Sequence, residues 1–164
     1  MKSITFCFFA CFFIFDFIGC SKEDSIIQNE KHLTGIWHEE EYLSEYNRIS
    51  KLQYNFREND SLEVLRMEIE IDSRKILGYR YRTLGKYKIT DDHITFYNLV
   101  SYSNDDTQGS YTEIENLQLV NGSDGDSYIV TYKIEEYGNK LFLIYPPCGP
   151  AENCIGTKIL IKEW

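Results

Sequence analysis

The chain has few basic residues, few histidines, and no proline before Pro146. Its 17 Lys and Arg stand against 26 Asp and Glu, a formal net charge of −9 at pH 7. Nucleic-acid binding depends on Lys and Arg contacts to phosphate, so this balance excludes nucleic acid as a partner. The same charge opposes adsorption to anionic lipid headgroups. We therefore expect any membrane association to depend on something other than surface charge.

Metal and catalytic motifs are also lacking. The three histidines, His32, His38 and His93, are scattered and offer no short-range ligand pair. The acidic turns 105–106 and 124–126 are candidate calcium ligands, but neither has the spaced ligands of a calcium-binding loop. Asp is common in turns, which is a sufficient explanation for these residues. No nucleophile stands beside a partnered base. We expect no catalytic residue, no metal site and no cofactor, and hence no enzyme.

The longest apolar run is short for a membrane span. Residues 6–19 contain Asp16, and a span needs about 20 apolar residues. Lys2 precedes the run, Gly19 ends it, and a charged stretch follows at 21–25. This order is typical of a secretory signal peptide, which we place at 1–19. A membrane-spanning anchor and a signal cleaved without lipidation are the alternatives.

The end of this segment resembles the lipobox of bacterial lipoproteins. The resemblance rests on the Gly19-Cys20 step and implies that Cys20 is acylated, for example with palmitate, and becomes the first mature residue. Phe17 stands where the common lipobox has Leu, as in relaxed lipoboxes of Bacteroidota. Residues 22–24, Lys-Glu-Asp, are similar to a surface-export signal of that phylum. The resemblance implies an outer-membrane lipoprotein of the cell envelope, with surface exposure favoured over a periplasmic orientation. Residues 20–32 then form the lipidated end and a polar, flexible tether.

Two cysteines remain once Cys7, Cys11 and Cys20 are assigned to the signal and the lipid. An even pair in an exported protein predicts a disulfide between Cys148 and Cys154, with a metal pair as the rival. All three prolines lie between residues 146 and 150, beside this pair. We expect a rigid flap over one end of the domain.

Residues 33–164 show strand patterns and almost no helical periodicity. Apolar and polar residues alternate between turn signals, and the stretch 65–71, which could be a helix by composition, alternates too strictly for one. The predicted strands are 35–43, 49–57, 62–72, 76–89, 93–99, a weaker 111–120, 127–137, 141–145 and 157–164. Eight or nine strands with short turns favour an all-β fold, an antiparallel up-and-down β-barrel, with two packed sheets as the rival.

The start of the first strand resembles the lipocalins and the lipocalin-like lipoproteins of Bacteroidota. The motif is Gly35-x-Trp37, and the hairpin across 85–96 is also similar. The resemblance implies a lipocalin-like barrel in which the tryptophan closes one end. A clear helix before the last strand is missing. The basic residue that packs on the tryptophan in that family is not identifiable from the sequence, although Lys158 and Lys162 lie on the last strand.

Function is predicted less firmly than fold. We favour a non-catalytic interaction or accessory module of the cell envelope with a protein partner. The alternative is a carrier of a small hydrophobic ligand in the barrel lumen. Core packing is the simpler role for the candidate ligand-binding residues, which are Trp37, Tyr54, Met67, Tyr79, Tyr81 and Tyr132. A cavity of about 300 Å³ or more would favour the carrier, and a filled lumen would favour the interaction module.

Overall fold

The computed structural model describes residues 32–104, 110–122, 125–147 and 155–164. Three short 3₁₀ turns lie at Ser44–Tyr46, Ile114–Asn116 and Glu136–Gly138. None of the helical segments in these ranges is long and apolar enough to cross a bilayer. The strands of the described ranges are β1 (Gly35–Leu43), β2 (Arg48–Phe56), β3 (Ser61–Glu70), β4 (Ile76–Thr90), β5 (His93–Ser103), β6 (Gln118–Leu119), β7 (Asp126–Glu135), β8 (Lys140–Ile144) and β9 (Thr157–Glu163).

The strands close into an antiparallel barrel. Its order is β1-β2-β3-β4-β5-β7-β8-β9, and β9 returns to pair with β1 through Trp37 and Lys162. The two-residue β6 adds to the end of β5. Each barrel strand neighbours the next along the chain, as is usual for consecutive strands. The predicted all-β, antiparallel up-and-down barrel closed between first and last strands is confirmed, and the rival of two packed sheets is wrong.

The predicted strand at 111–120 is the main departure. Only Gln118–Leu119 is a strand there, and Ile114–Asn116 forms a 3₁₀ turn. β4 begins beyond the end of β5, so part of its edge is free, and Thr112 pairs with Tyr79 at that edge. The segment therefore covers an exposed strand edge instead of joining the barrel wall.

Cross-strand register shows which side chains face the lumen. Directly opposed residues share a face, and Trp37, Tyr54, Val64, Thr83 and Ser101 follow one another across β1 to β5. One end of the lumen, which we call the closed end, is filled by side chains that are almost fully buried. They include Leu33, Trp37, Phe56, Phe96, Leu141 and Leu160. The opposite end, with the turns at 44–47 and 71–75, is the open end.

A second apolar cluster lies on the outer face. It contains Leu65, Met67 and Ile69 of β3, and Ile114 packs against it. These β3 residues oppose outward-facing positions of β2, such as Lys51 opposite Met67. The covering segment explains why they are buried although they do not face the lumen.

Candidate ligand-binding cavity

A cavity of about 530 Å³ occupies the open half of the barrel. Period-two alternation on β2, β4, β5 and β7 brings its side chains inward from strands that are far apart in the sequence. Tyrosines and hydroxyls dominate the lining, which includes Tyr54, Tyr81, Thr83, Ser101, Tyr128 and Tyr145. The mouth is formed in part by Asp126, Pro146 and Ile155. The site is thus aromatic in its walls and polar at its hydroxyl tips.

The tyrosine hydroxyls converge. The hydroxyl oxygens of Tyr54 and Tyr145 lie 3.1 Å apart, and Tyr128 also hydrogen-bonds Tyr145. The rings of Tyr128 and Tyr145 stack with their centroids 6.0 Å apart. The hydroxyls of Thr83 and Ser101 are 2.9 Å apart on the facing wall. The cavity therefore offers a ligand both flat apolar surfaces and hydrogen-bonding groups.

Burial raises the pKa of three of these phenols still further above physiological pH. Burial raises the pKa of Tyr54 well above its ordinary value of 10, and the neighbouring Tyr145 adds to this rise. Burial likewise raises the pKa of Tyr128, again reinforced by Tyr145. It raises the pKa of Tyr81 to about 12, although the nearby Arg66 acts in the opposite direction. The hydroxyls are accordingly neutral hydrogen-bonding groups at physiological pH.

Charged pairs stand on the wall beside the tyrosines. Glu39 faces the lumen and accepts a bond from Lys158 Nζ at 2.5 Å. Glu41 also faces the lumen, with its carboxylate 3.6 Å from an Arg66 guanidinium nitrogen, and Arg66 Nε donates to Ser50 at 3.0 Å. Alternation on β1 places Glu39 and Glu41 on the lumen side, and Glu41 stays exposed to solvent at the open end.

One carboxylate is completely buried. Glu68 has no exposed surface, and its Oε1 lies 2.5 Å from Arg80 Nε. Arg66 opposes Tyr81 and Met67 opposes Tyr79, so Arg80 is the extra residue of a β-bulge in β4. The bulge re-aims the arginine toward Glu68. This pair fixes the geometry of β3 against β4 near the open end.

The predicted ligand residues separate into three places. Tyr54 and Tyr81 line the cavity. Trp37 lies in the packed closed end, and Tyr132 is a buried residue of the same core. Tyr79 packs with Met67 on the outer face, away from the cavity.

Ten of the twelve lining positions are absent from the candidate list that the sequence gave, among them Tyr128, Tyr145 and Asp126. Tyr128 was recoverable, since it shares a strand face with Tyr132. Tyr145 directly follows β8, and Asp126 begins β7, so neither sits within a long alternating run. Their place in the cavity depends on barrel closure.

A larger space of about 640 Å³ lies at the closed end. Its lining includes the buried core residue Tyr132 together with His32, Asp92 and Tyr137, and Tyr137 is fully exposed. We favour the lumen cavity as the site, because hydroxyls from several strands converge there. Within the described ranges, no cluster of three or more His, Cys, Asp and Glu side chains is arranged to hold a metal ion.

The predicted lipidation site Cys20 and the predicted disulfide partners Cys148 and Cys154 lie outside the described residues. Comparison with known proteins finds no matching family model, no matching curated protein and no matching solved structure.

Proposed function

We propose that this protein is an exported, lipid-anchored barrel that binds one small, partly apolar molecule in the tyrosine-lined cavity. The observation that carries the proposal is a cavity of about 530 Å³ in a barrel whose other half is filled with side chains. Ligand pockets span about 300 to 1,000 Å³. The cavity volume therefore favours the carrier over the interaction module that the sequence favoured. The proposed role is non-catalytic.

The packed closed end sets the depth of the site. Leu33 and Trp37 are fully buried there, so the lumen is blocked below the tyrosines. A ligand enters from the open end, where Asp126 and Pro146 are exposed. The rings of Tyr54 and Tyr81 would contact its apolar part, and the hydroxyl cluster would bind its polar group.

The ligand proposal is tested on the full chain purified from its own host in a mild detergent. Solvent extraction and mass spectrometry should recover a co-purified small molecule at near-stoichiometric yield. Tyr54→Phe combined with Tyr145→Phe removes the hydroxyl pair and should reduce that yield severalfold. Tyr137→Phe removes an exposed hydroxyl and is the matched control. Equal yields from both variants, or no ligand from the wild type, would contradict the proposal.

The proposed anchor rests on the lipobox resemblance at Cys20. Attachment by lipid agrees with the acidic composition, which gives the domain no charge attraction to anionic membranes. Metabolic labelling with a fatty acid should mark the wild-type protein. Cys20→Ala should lose the label and move the chain to the soluble fraction. Label retained by the variant would refute lipidation.

The interaction module is the second candidate, and one observation favours it. The outer face of β8 and β9 exposes three isoleucines, each more than two-fifths accessible, namely Ile144, Ile159 and Ile161. Contiguous apolar patches on a soluble domain are typical of protein contacts. The occupant would be a protein surface with an apolar centre. Crosslinking on host cells should capture a partner protein. The double substitution Ile144→Lys/Ile159→Lys should abolish the crosslink. Tyr42→Lys, on another exposed face, should leave the crosslink unchanged.

A further inference from the structure

We propose that the cavity is an aromatic cage for an organic cation, with Asp126 as its counter-charge. This inference rests on the proposed ligand-binding function and specifies the chemical class of the ligand. Two observations support the proposal. The cavity lining carries a negative charge, and no lysine or arginine of the described residues lies over the cavity tyrosines.

The lining carries one carboxylate and no basic side chain. Asp126 stands at the mouth, opposite Leu99 in the β5–β7 ladder, and all other lining residues are tyrosines, hydroxyls or apolar groups. Among the described residues, no basic group lies within ion-pair distance of Asp126. An anionic ligand would therefore meet a carboxylate and no compensating charge, whereas a cation would meet the opposite charge.

The aromatic rings supply the second attraction. A tyrosine face carries the negative end of the ring quadrupole and attracts ammonium groups, most strongly where water is excluded. Elsewhere the chain fills such faces with its own cations. Arg48 lies over Tyr46 and Tyr111, and Lys162 lies over Trp37 and Trp164.

The four cavity tyrosines differ. In the part of the chain that the structure describes, no lysine or arginine lies over Tyr54, Tyr81, Tyr128 or Tyr145. Arg66 is near Tyr81, but it is held by Glu41 and Ser50. Tyr128 stacks on Tyr145 and Tyr54 stacks on Phe56, so the ring surfaces left to a cation from solution are those that no other ring covers, including the ring of Tyr81.

The charge of the whole protein acts in the same direction. A net charge of −9 raises the local concentration of cations around the molecule. The other lumen charges nearby are paired with one another, as in Glu39 with Lys158 and Glu68 with Arg80. They leave Asp126 as the uncompensated charge of the lining.

The test uses two probes of equal shape and different charge. Choline and its uncharged carbon analogue 3,3-dimethylbutan-1-ol are titrated into the full chain in detergent, stripped of endogenous ligand, by isothermal calorimetry. We expect choline to bind about tenfold more tightly than the alcohol. Asp126→Asn should weaken choline binding severalfold and leave binding of the alcohol unchanged. Asp92→Asn removes one exposed carboxylate at the closed end and is the control for net charge.

The outcomes separate the inference from the function it rests on. If choline binds no more tightly than the alcohol, the cation proposal is overturned and the carrier function remains. The same conclusion follows if choline does not bind while a neutral or anionic molecule co-purifies with the protein. No probe binding together with no co-purified molecule overturns both. Dihexanoylphosphatidylcholine distinguishes the sources: stronger competition than free choline indicates a lipid headgroup, and weaker competition indicates a free amine.

Discussion

The ammonium of Lys162 lies 5.0 Å from the centroid of the Trp37 ring. The same ammonium donates to the His32 carbonyl at 3.0 Å, and Trp37 Nε1 donates to the Leu33 carbonyl at 2.6 Å. A Cβ on Gly35 would approach Lys162 Cε to 3.2 Å, so glycine gives the lysine stem room. These contacts join the first strand, the last strand and the residues that precede the first strand at the closed end. Of the two lysines of the last strand, Lys162 lies over the Trp37 ring, whereas Lys158 pairs with Glu39.

Trp37→Ala should destabilise the barrel by about 3–5 kcal/mol, because the ring is fully buried and its removal leaves a cavity. Trp164→Ala is the matched control, since that ring is 88% exposed, and it should change stability little. Urea unfolding followed by circular dichroism measures both. Similar losses for the two variants would contradict the packed closed end.

Lys162→Met should cost about 0.5–1 kcal/mol by removing the cation from the Trp37 face while retaining an apolar stem. In a Trp37→Leu background the same change should cost less, because the ring is absent. The double-mutant cycle, measured by urea unfolding, gives the coupling between the two side chains. A coupling of zero would show that the lysine acts only through its bond to His32.

Arg80→Ala should destabilise the protein by about 3 kcal/mol, because it leaves the fully buried Glu68 carboxylate without its guanidinium. Arg82→Ala is the control: Glu63 loses Arg82 but keeps Arg57 at 2.7 Å, so the cost should be smaller. Adding Glu68→Gln to Arg80→Ala should recover part of the loss, as thermal unfolding can measure. An unchanged loss would mean that the bulge geometry, and not the buried charge, matters.

Alkaline titration should separate the cavity tyrosines from the exposed ones. The pKa of Tyr81 is raised by burial to about 12, and the pKa values of Tyr54 and Tyr128 are also raised. A tyrosine that ionises later when folded contributes stability that is present below pH 10 and lost as the pH rises through about 12. Phenolate absorbance should therefore show a late phase coupled to unfolding. Tyr81→Phe should reduce that phase.

Cys148 and Cys154 should be bonded to each other in the exported protein. They are the two thiols that the proposed signal removal and acylation of Cys20 would leave, and the compartment proposed for this protein would be oxidising. The closed loop is short, so the bond should add only about 2 kcal/mol. Thiol titration of the denatured, unreduced protein should find none free, and two free thiols would refute the bond. The double variant Cys148→Ser/Cys154→Ser should be assayed for both ligand binding and stability. A loss of binding much larger than the loss of stability would show that the loop contributes to the site. Unchanged binding would show that the bond only stabilises the fold.

The local sequence pattern was sufficient to identify most strands of the barrel. Strict alternation and turn residues identified eight of the strands, although β5 continues to Ser103 beyond its predicted end. Alternation shows which residues share a face, but it does not show which face is inside. On β3 the apolar Met67 points outward beneath Ile114, while Arg66 and Glu68 face the lumen. The weak segment 111–120 was misassigned because its conformation depends on the free edge of β4.

The sequence alone predicted an antiparallel barrel, with two packed sheets as the rival, because a period of two and short turns are local properties. It also indicated that Trp37 would be buried at one end. Only the tertiary structure decided that the other end is hollow. Tyr54 and Tyr145 are 91 residues apart, and their hydroxyls meet because closure brings β2 and β8 to opposite walls of one lumen. The cavity and the charge of its lining follow from that closure, which no local pattern encodes.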